Sequence, residues 1–466
     1  MNPRGLPAID RREVIQTLGL AGAGLVLGCG KVDPRRYGIK ERVLRTLFVD
    51  THEHLPDEID RLAGRAFPCD DWSLLLYDYV GSDLLSAGMP ADTYSKFFSR
   101  GVDPQEKWGL LEPFWPRVMN TGFAQAVRIT ARELYGVETL DGESIPRLQE
   151  AYEGLRQTGF YDKVLVEAAG IESCQVNTHG LPFHESRQPT LLMQDLSFQN
   201  LHIDPEIEEL SAIAGIEVGS LDDWHAVIHW WFDKYSPYAV AAKSQGAYLR
   251  GLNYRRVEPD VAAPLFDRML AGVALSTEEQ RQLEDHLFWA CVDQATRNRL
   301  PVKIHTGYLA GDRLTQFRRI TDQTRDIIEL CRKGPETAWV FLHIGYPYWQ
   351  QLIAVAKRFA NAHIDMSWAW IIDPAGTREF LKRYLVTAPA NKVFAFGGDY
   401  SVVECVVGHA EMARQGIVQA LVELVDEGWL GQGDAQALVE PLMRSNAMEL
   451  FRVADKSKAV AAAPWL

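Results

Sequence analysis

From Tyr161 to Asp399 the sequence alternates stretches with helical apolar spacing and short runs that are apolar throughout. The helical stretches include Leu221 to Tyr235, Leu283 to Asn298, Ile320 to Arg332 and Trp349 to Ala360. The runs include Tyr238 to Lys243, Pro301 to His305, Ala338 to His343 and Lys392 to Asp399. A strand with one wet face alternates apolar and polar residues, so strands apolar on both faces belong to a parallel sheet covered by helices. With an earlier run at Val43 to Thr51, and others near Glu172 to Asn177 and Thr190 to Met193, the strand count approaches eight. That pattern predicts an α/β protein, a (β/α)8 TIM barrel.

The regular alternation has one long interruption. Residues 55–157 carry many aromatics, and Glu112-Pro113-Phe114-Trp115-Pro116 must be irregular because proline breaks helices. Ala124 to Tyr135 has helical spacing, so an inserted helical subdomain after the first strand is expected, walling or lidding a pocket. The domain plan is then an export signal at 1–29, a linker at 30–42, the barrel at 43–430 and a C-terminal helix and tail at 431–466.

The expected strand ends carry the chemistry. In a closed parallel barrel all strand C-termini open on one face, so residues far apart in sequence converge there. His52 and His54 are two apart in an extended segment and share a face, which leaves Glu53 pointing the other way. His305, His343, Asp399 and Lys243 end later strands. Neutral imidazoles with one carboxylate suit Zn²⁺ or a similar divalent ion with an open position for water. Such an ion lowers the pKa of its water toward ~7 and polarises a carbonyl, and Asp399 is the natural proton acceptor.

These residues resemble the amidohydrolase superfamily, in its amidohydrolase-related (amidohydrolase 2) branch. That branch includes nodulin-like domains fused to glutamine synthetase and lies near the uronate isomerases. The motifs are Val302-Lys303-Ile304-His305-Thr306-Gly307, Leu342-His343-Ile344-Gly345-Tyr346-Pro347-Tyr348, Ile364-Asp365-Met366-Ser367-Trp368 and Lys392 through Asp399. The resemblance implies a metal-dependent hydrolase-type barrel with His52, His54, His305 and Asp399 as metal ligands. It makes Asp399, His343 and Lys243 catalytic, with His343 orienting substrate or adding a ligand. Lys243 would be carbamylated and bridge two metals in some members and only contact substrate in others; one zinc ion is expected here. Arg250 is a candidate for a substrate carboxylate, with a structural salt bridge ranked ahead of that role. Tyr346, Tyr348, Trp368 and Trp370 are expected pocket walls. Hydrolysis of a small C–N or C–O bonded substrate is the first expectation. Non-oxidative decarboxylation, uronate isomerisation and a catalytically inactive binding protein are alternatives that the motifs leave open.

Composition and the N-terminus bound the rest. A net charge of -14 argues against a nucleic-acid surface, which needs clustered Lys and Arg. A small-molecule substrate is the expected partner; the sequence does not set the oligomeric state, a homo-oligomer included. Six cysteines without a Cys-x-x-Cys indicate neither a zinc ribbon nor a disulfide framework, although a single disulfide stays open. Asp10-Arg11-Arg12 before the small, apolar run Thr17 to Gly28 and Cys29 resembles a twin-arginine signal ending in a lipoprotein box. A periplasmic enzyme, or one anchored to the membrane through a lipid on Cys29, is therefore expected.

Overall fold

The computed structural model describes residues 34–178, 180–311, 320–321 and 323–466. The export signal, Arg11, Arg12 and Cys29 lie outside the described residues. Among the described residues, no helix is long and apolar enough to cross a membrane, and Cys69, Cys174, Cys291, Cys331 and Cys405 are free thiols.

The strands are β1 (Phe48–Glu53), β2 (Ile171–Val176), β3 (Leu192–Gln194), β4 (Leu196–Ser197), β5 (Ala242–Ser244), β6 (Val302–Ile304), β7 (Trp339–Phe341), β8 (Ala362–Asp365) and β9 (Val393–Phe394). All neighbours are parallel and lie in sequence order, β1 to β3 in one sheet and β4 to β9 in the other. Asp195 joins the two sheets. Its amide bonds to Val176 O on β2, and the next amide, of Leu196, bonds to Ala241 O beside β5. β3 and β4 therefore act as one strand serving both sides. The ring closes beyond β9, where Thr51 N donates to Phe396 O at 3.1 Å, Asp399 N to His52 O at 2.8 Å and His54 N to Tyr400 O at 2.9 Å. The result is the expected barrel, whose strand ends point His52, His54, His305 and Asp399 to one mouth.

Between β1 and β2 the chain is helical, including Val80–Ser86, Pro104–Leu111, Gly122–Tyr135 and Ile145–Leu155. Thr121 caps the third of these with its side chain, and Gly136 ends it in the left-handed conformation that glycine adopts at least cost. The buried Arg61 pins this region to the barrel through Asp70 at 2.9 Å, Tyr152 at 2.6 Å and Glu404 at 2.5 Å.

Two expectations are corrected. Residues 34–45, expected as linker and strand start, form a helix, Pro34–Arg45. Its Ile39 and Val43, one turn apart, are fully buried against the helix Val406–Asp426, a pairing that a linker reading of its Arg and Gly content overlooks. The C-terminal segment 431–466, expected as a helix and tail outside the barrel, is helical but packs into it. Ala447, Phe451 and Val453 pack with Val49, Met193, Val240, Val340, Leu342 and Phe394, and so plug the barrel interior. Above that plug sits an ion pair, with fully buried Lys303 donating to both carboxylate oxygens of Asp195 at 2.9 Å and to Thr51 O at 2.8 Å.

Candidate metal centre

The mouth of the barrel brings the expected residues together. Ligand atoms of His52, His343 and Asp399, all buried, lie within 4.8 Å of one another. His52 Nε2 is 3.1 Å and His54 Nε2 is 3.3 Å from Asp399 Oδ1, and His343 Nε2 is 3.8 Å from Asp399 Oδ2. Lys243 Nζ lies 3.0 Å from His52 Nε2. His305 reaches the group through His343, its Nδ1 being 3.0 Å from His343 Nε2. His343 therefore stands inside the compact group, and His305 stands beside it.

Hydrogen-bond logic shows that this arrangement could hold a cation. A carbonyl only accepts, so an imidazole nitrogen facing one must carry the proton. His343 Nδ1 faces Ser367 O at 3.0 Å, and His305 Nε2 faces Tyr308 O at 2.8 Å. In the neutral tautomers the remaining nitrogens, His343 Nε2 and His305 Nδ1, then present lone pairs to each other. His54 is oriented in the same way: Nδ1 donates to Asn177 O at 2.7 Å, and the Nε2 lone pair accepts from the Gln245 amide at 3.3 Å, at a like distance from the Asp399 carboxylate. Acceptors facing acceptors in a buried site are repulsive unless a proton or a metal ion lies among them.

Burial decides against the proton. It lowers His305 well below the ordinary imidazole range and His343 to about 4, with the neighbouring His343 and Lys243 adding to the effect at His305. His52 is likewise held well below its usual value, by burial first and then by Lys243. Burial works the other way on Asp399, but the electrostatic attraction of the facing His52 and His343 rings outweighs it. The carboxyl lies well below its ordinary range. Neutral imidazoles around an ionised carboxylate are the donor set of a divalent ion, so the residues present fit one. The backbone carbonyls of Asn177, Ser367 and Tyr308 would fix ring orientation around it, as second partners of metal-bound histidines do.

The backbone at the mouth is strained. His343, Trp368 and Asp399, at or just past the ends of β7, β8 and β9, have φ of 65°, 65° and 61°. Side chains with a Cβ adopt that region only when the surroundings hold them there, and such outliers cluster at functional sites. The Gly397-Gly398 pair makes room: a Cβ on Gly398 would lie 1.9 Å from Glu53 Oε1, and one on Gly397 would lie 2.5 Å from Ser367 Cβ. The Glu53 carboxylate lies against Gly398, with Oε2 accepting from Tyr400 N at 2.7 Å.

The remaining candidates divide. The Trp368 ring lies 5.4 Å from His343 and 5.7 Å from Tyr308, as a wall of the centre, and Tyr346 joins the wall through Tyr308 at 6.2 Å. Arg250 does not face the mouth as a free guanidinium. It bonds Glu284 at 2.7 Å and Asp285 at 2.5 Å and stacks on Tyr254, so the salt-bridge alternative replaces the substrate role. Trp370 is core rather than wall, its Nε1 donating to Ala395 O at 2.8 Å and its ring filling the space beside Gly416. Sequence reasoning missed Tyr248, whose ring lies 4.5 Å from His305, and the Lys303–Asp195 pair beneath the centre. Lys303 was legible: it precedes His305 by two residues in a strand, which places both on the same face.

Comparison with known proteins agrees with this geometry. The family model described as amidohydrolase matches residues 179–453. A search of curated proteins finds no match. Among solved structures, the uronate isomerase of Thermotoga maritima superposes with a TM-score of 0.74 at 14% identity, covering 91% of this chain and 100% of that one. The glucuronate isomerase of Caulobacter crescentus gives 0.73 at 16%, covering 90% and 95%. A candidate metal-dependent hydrolase of Lactobacillus casei gives 0.59 at 16%, covering 90% and 98%. At such identities the likeness speaks for the fold alone.

Proposed function

The chain belongs to the amidohydrolase family, and from that premise we propose that it is a divalent-metal-dependent hydrolase of a small C–N or C–O bonded substrate. The observation that carries the reading is that His305 and His343 turn their lone pairs on each other, beside the buried group of His52, His343 and Asp399. His52, His343 and Asp399 would hold the ion, with His54 and His305 beside them. A bound divalent ion supplies a polarised substrate carbonyl and a water acidified toward ~7.

The protein's own groups supply the rest. Asp399 is ionised and lies among the imidazoles, so it can take the proton of the attacking water and return it to the leaving group. Lys243, buried next to His52, is pushed down to about 7 by burial, against the opposing pull of Asp399 and Asp195. At neutral pH it can therefore donate to a developing oxyanion in one form and accept a proton in the other. Trp368, Tyr308 and Tyr346 would restrict water around the reacting bond.

Isomerisation of a sugar acid is the second reading, favoured by the likeness of 91% and 90% of the chain to two uronate isomerases. A single screen separates the readings. The purified protein is dialysed against a chelator, reloaded with Zn²⁺ or Mn²⁺, and offered lactones, amides, uronates and aromatic carboxylates. Acid release from a lactone or amide that disappears on chelation and returns with the metal is the expected result. Ketose formation from a uronate would replace hydrolysis with the second reading, and release of CO₂ would point to decarboxylation.

A further inference from the structure

The backbone of Asp399 is left-handed, and the groups that hold it come from two sides. From β1, His52 O accepts the Asp399 amide at 2.8 Å, Glu53 Oε2 accepts the Tyr400 amide at 2.7 Å, and the His54 amide donates to Tyr400 O at 2.9 Å. From the inserted helical region, the hydroxyl of buried Tyr79 donates to Asp399 O. Asp78 beside it accepts from the Ser401 amide at 3.0 Å, the Ser401 hydroxyl at 2.7 Å and the Val402 amide at 2.9 Å. The Tyr79 ring is itself wedged against Trp368 at 4.9 Å, Tyr400 at 5.0 Å and Phe123 at 5.1 Å. A strained residue flanked by bonds at its own carbonyl and at the next amides has its carboxylate aimed by those bonds.

We infer that Asp78 and Tyr79 are positioning residues for Asp399, so that the helical insertion sets the aim of the carboxylate and is part of the metal centre. The inference rests on the metal reading above. It assigns the insertion a role that a pocket wall does not have. Movement of the segment before the helix Val80–Ser86 would be transmitted to the metal-binding carboxylate through the Tyr79 hydroxyl and the Asp78 carboxylate.

Co²⁺ tests it without any substrate. Wild type, Tyr79→Phe and Asp78→Ala are loaded with Co²⁺, and the visible absorption spectrum and the Co²⁺ dissociation constant are measured. Tyr384→Phe serves as a control that removes a buried tyrosine hydroxyl elsewhere in the core. Tyr79→Phe keeps the wedged ring and loses only the hydroxyl. We expect it to shift the Co²⁺ spectrum and weaken Co²⁺ binding about 10-fold, the usual size for a second partner of a ligand. Asp78→Ala should do the same, and Tyr384→Phe should do neither. On a substrate from the screen, kcat should fall with KM unchanged. A wild-type spectrum and affinity in Tyr79→Phe would overturn the inference while leaving the metal reading intact, whether or not Asp78→Ala is stable enough to study. A wild type that bound no Co²⁺ would instead remove the metal reading and the inference with it.

Discussion

Asp399→Asn is expected to lower kcat by about 10³-fold while the barrel stays folded, because it removes one proton acceptor and almost no volume. The amide keeps the shape of the carboxylate, and the backbone bond from Asp399 N to His52 O does not involve the side chain. What disappears is the negative charge that His52 and His54 face at 3.1 and 3.3 Å. An amide oxygen is far too weak a base to accept a proton from water at neutral pH. A bound ion would also be held less tightly, since a neutral ligand replaces an anionic one, so excess metal should restore binding without restoring turnover. The check is kcat at saturating metal beside the thermal midpoint. A variant with near-wild-type kcat would show that the proton passes elsewhere, with Lys243 the next candidate.

Asp195→Ala is expected to cost about 3–5 kcal/mol of stability, the usual penalty for leaving one member of a buried ion pair alone. Lys303 is fully buried and has both carboxylate oxygens of Asp195 at 2.9 Å, with Thr51 O as a further acceptor. Loss of the partner strands an ammonium inside the barrel. Asp195→Leu combined with Lys303→Met should recover much of the loss, because two apolar residues carry no desolvation penalty. Urea unfolding of the single and double variants measures both effects. A single variant within about 1 kcal/mol of wild type would mean that water reaches Lys303 past the plug of Ala447, Phe451 and Val453.

The barrel was legible because its strands are buried on both faces and alternate with helices, which leaves a pattern in composition alone. His52, His54, His343 and Asp399 were legible for a related reason: packing alone gives a buried apolar run no cause to end in an imidazole or a carboxylate. The helix Pro34–Arg45 was not, since its two buried residues sit among charges and find their partner about 370 residues later, in Val406–Asp426. For Arg250 the sequence favoured a structural salt bridge but could not name its partners, Glu284 and Asp285, which come from a helix later in the chain. Nothing local marks Tyr79 as a partner of Asp399, and the bond becomes visible only when the insertion folds back over the mouth. The division between His343 and His305 is also three-dimensional: both end strands, and only the carbonyls of Ser367 and Tyr308 decide which nitrogens stay bare.

The measurement that bears most directly on the metal centre is the metal content of purified protein, taken together with that of His52→Ala. Plasma mass spectrometry should find about one divalent ion per chain in the wild type, and a small fraction of that in a variant lacking one imidazole of the buried group. Wild-type protein without stoichiometric metal after reloading, or His52→Ala with its full complement, would contradict it.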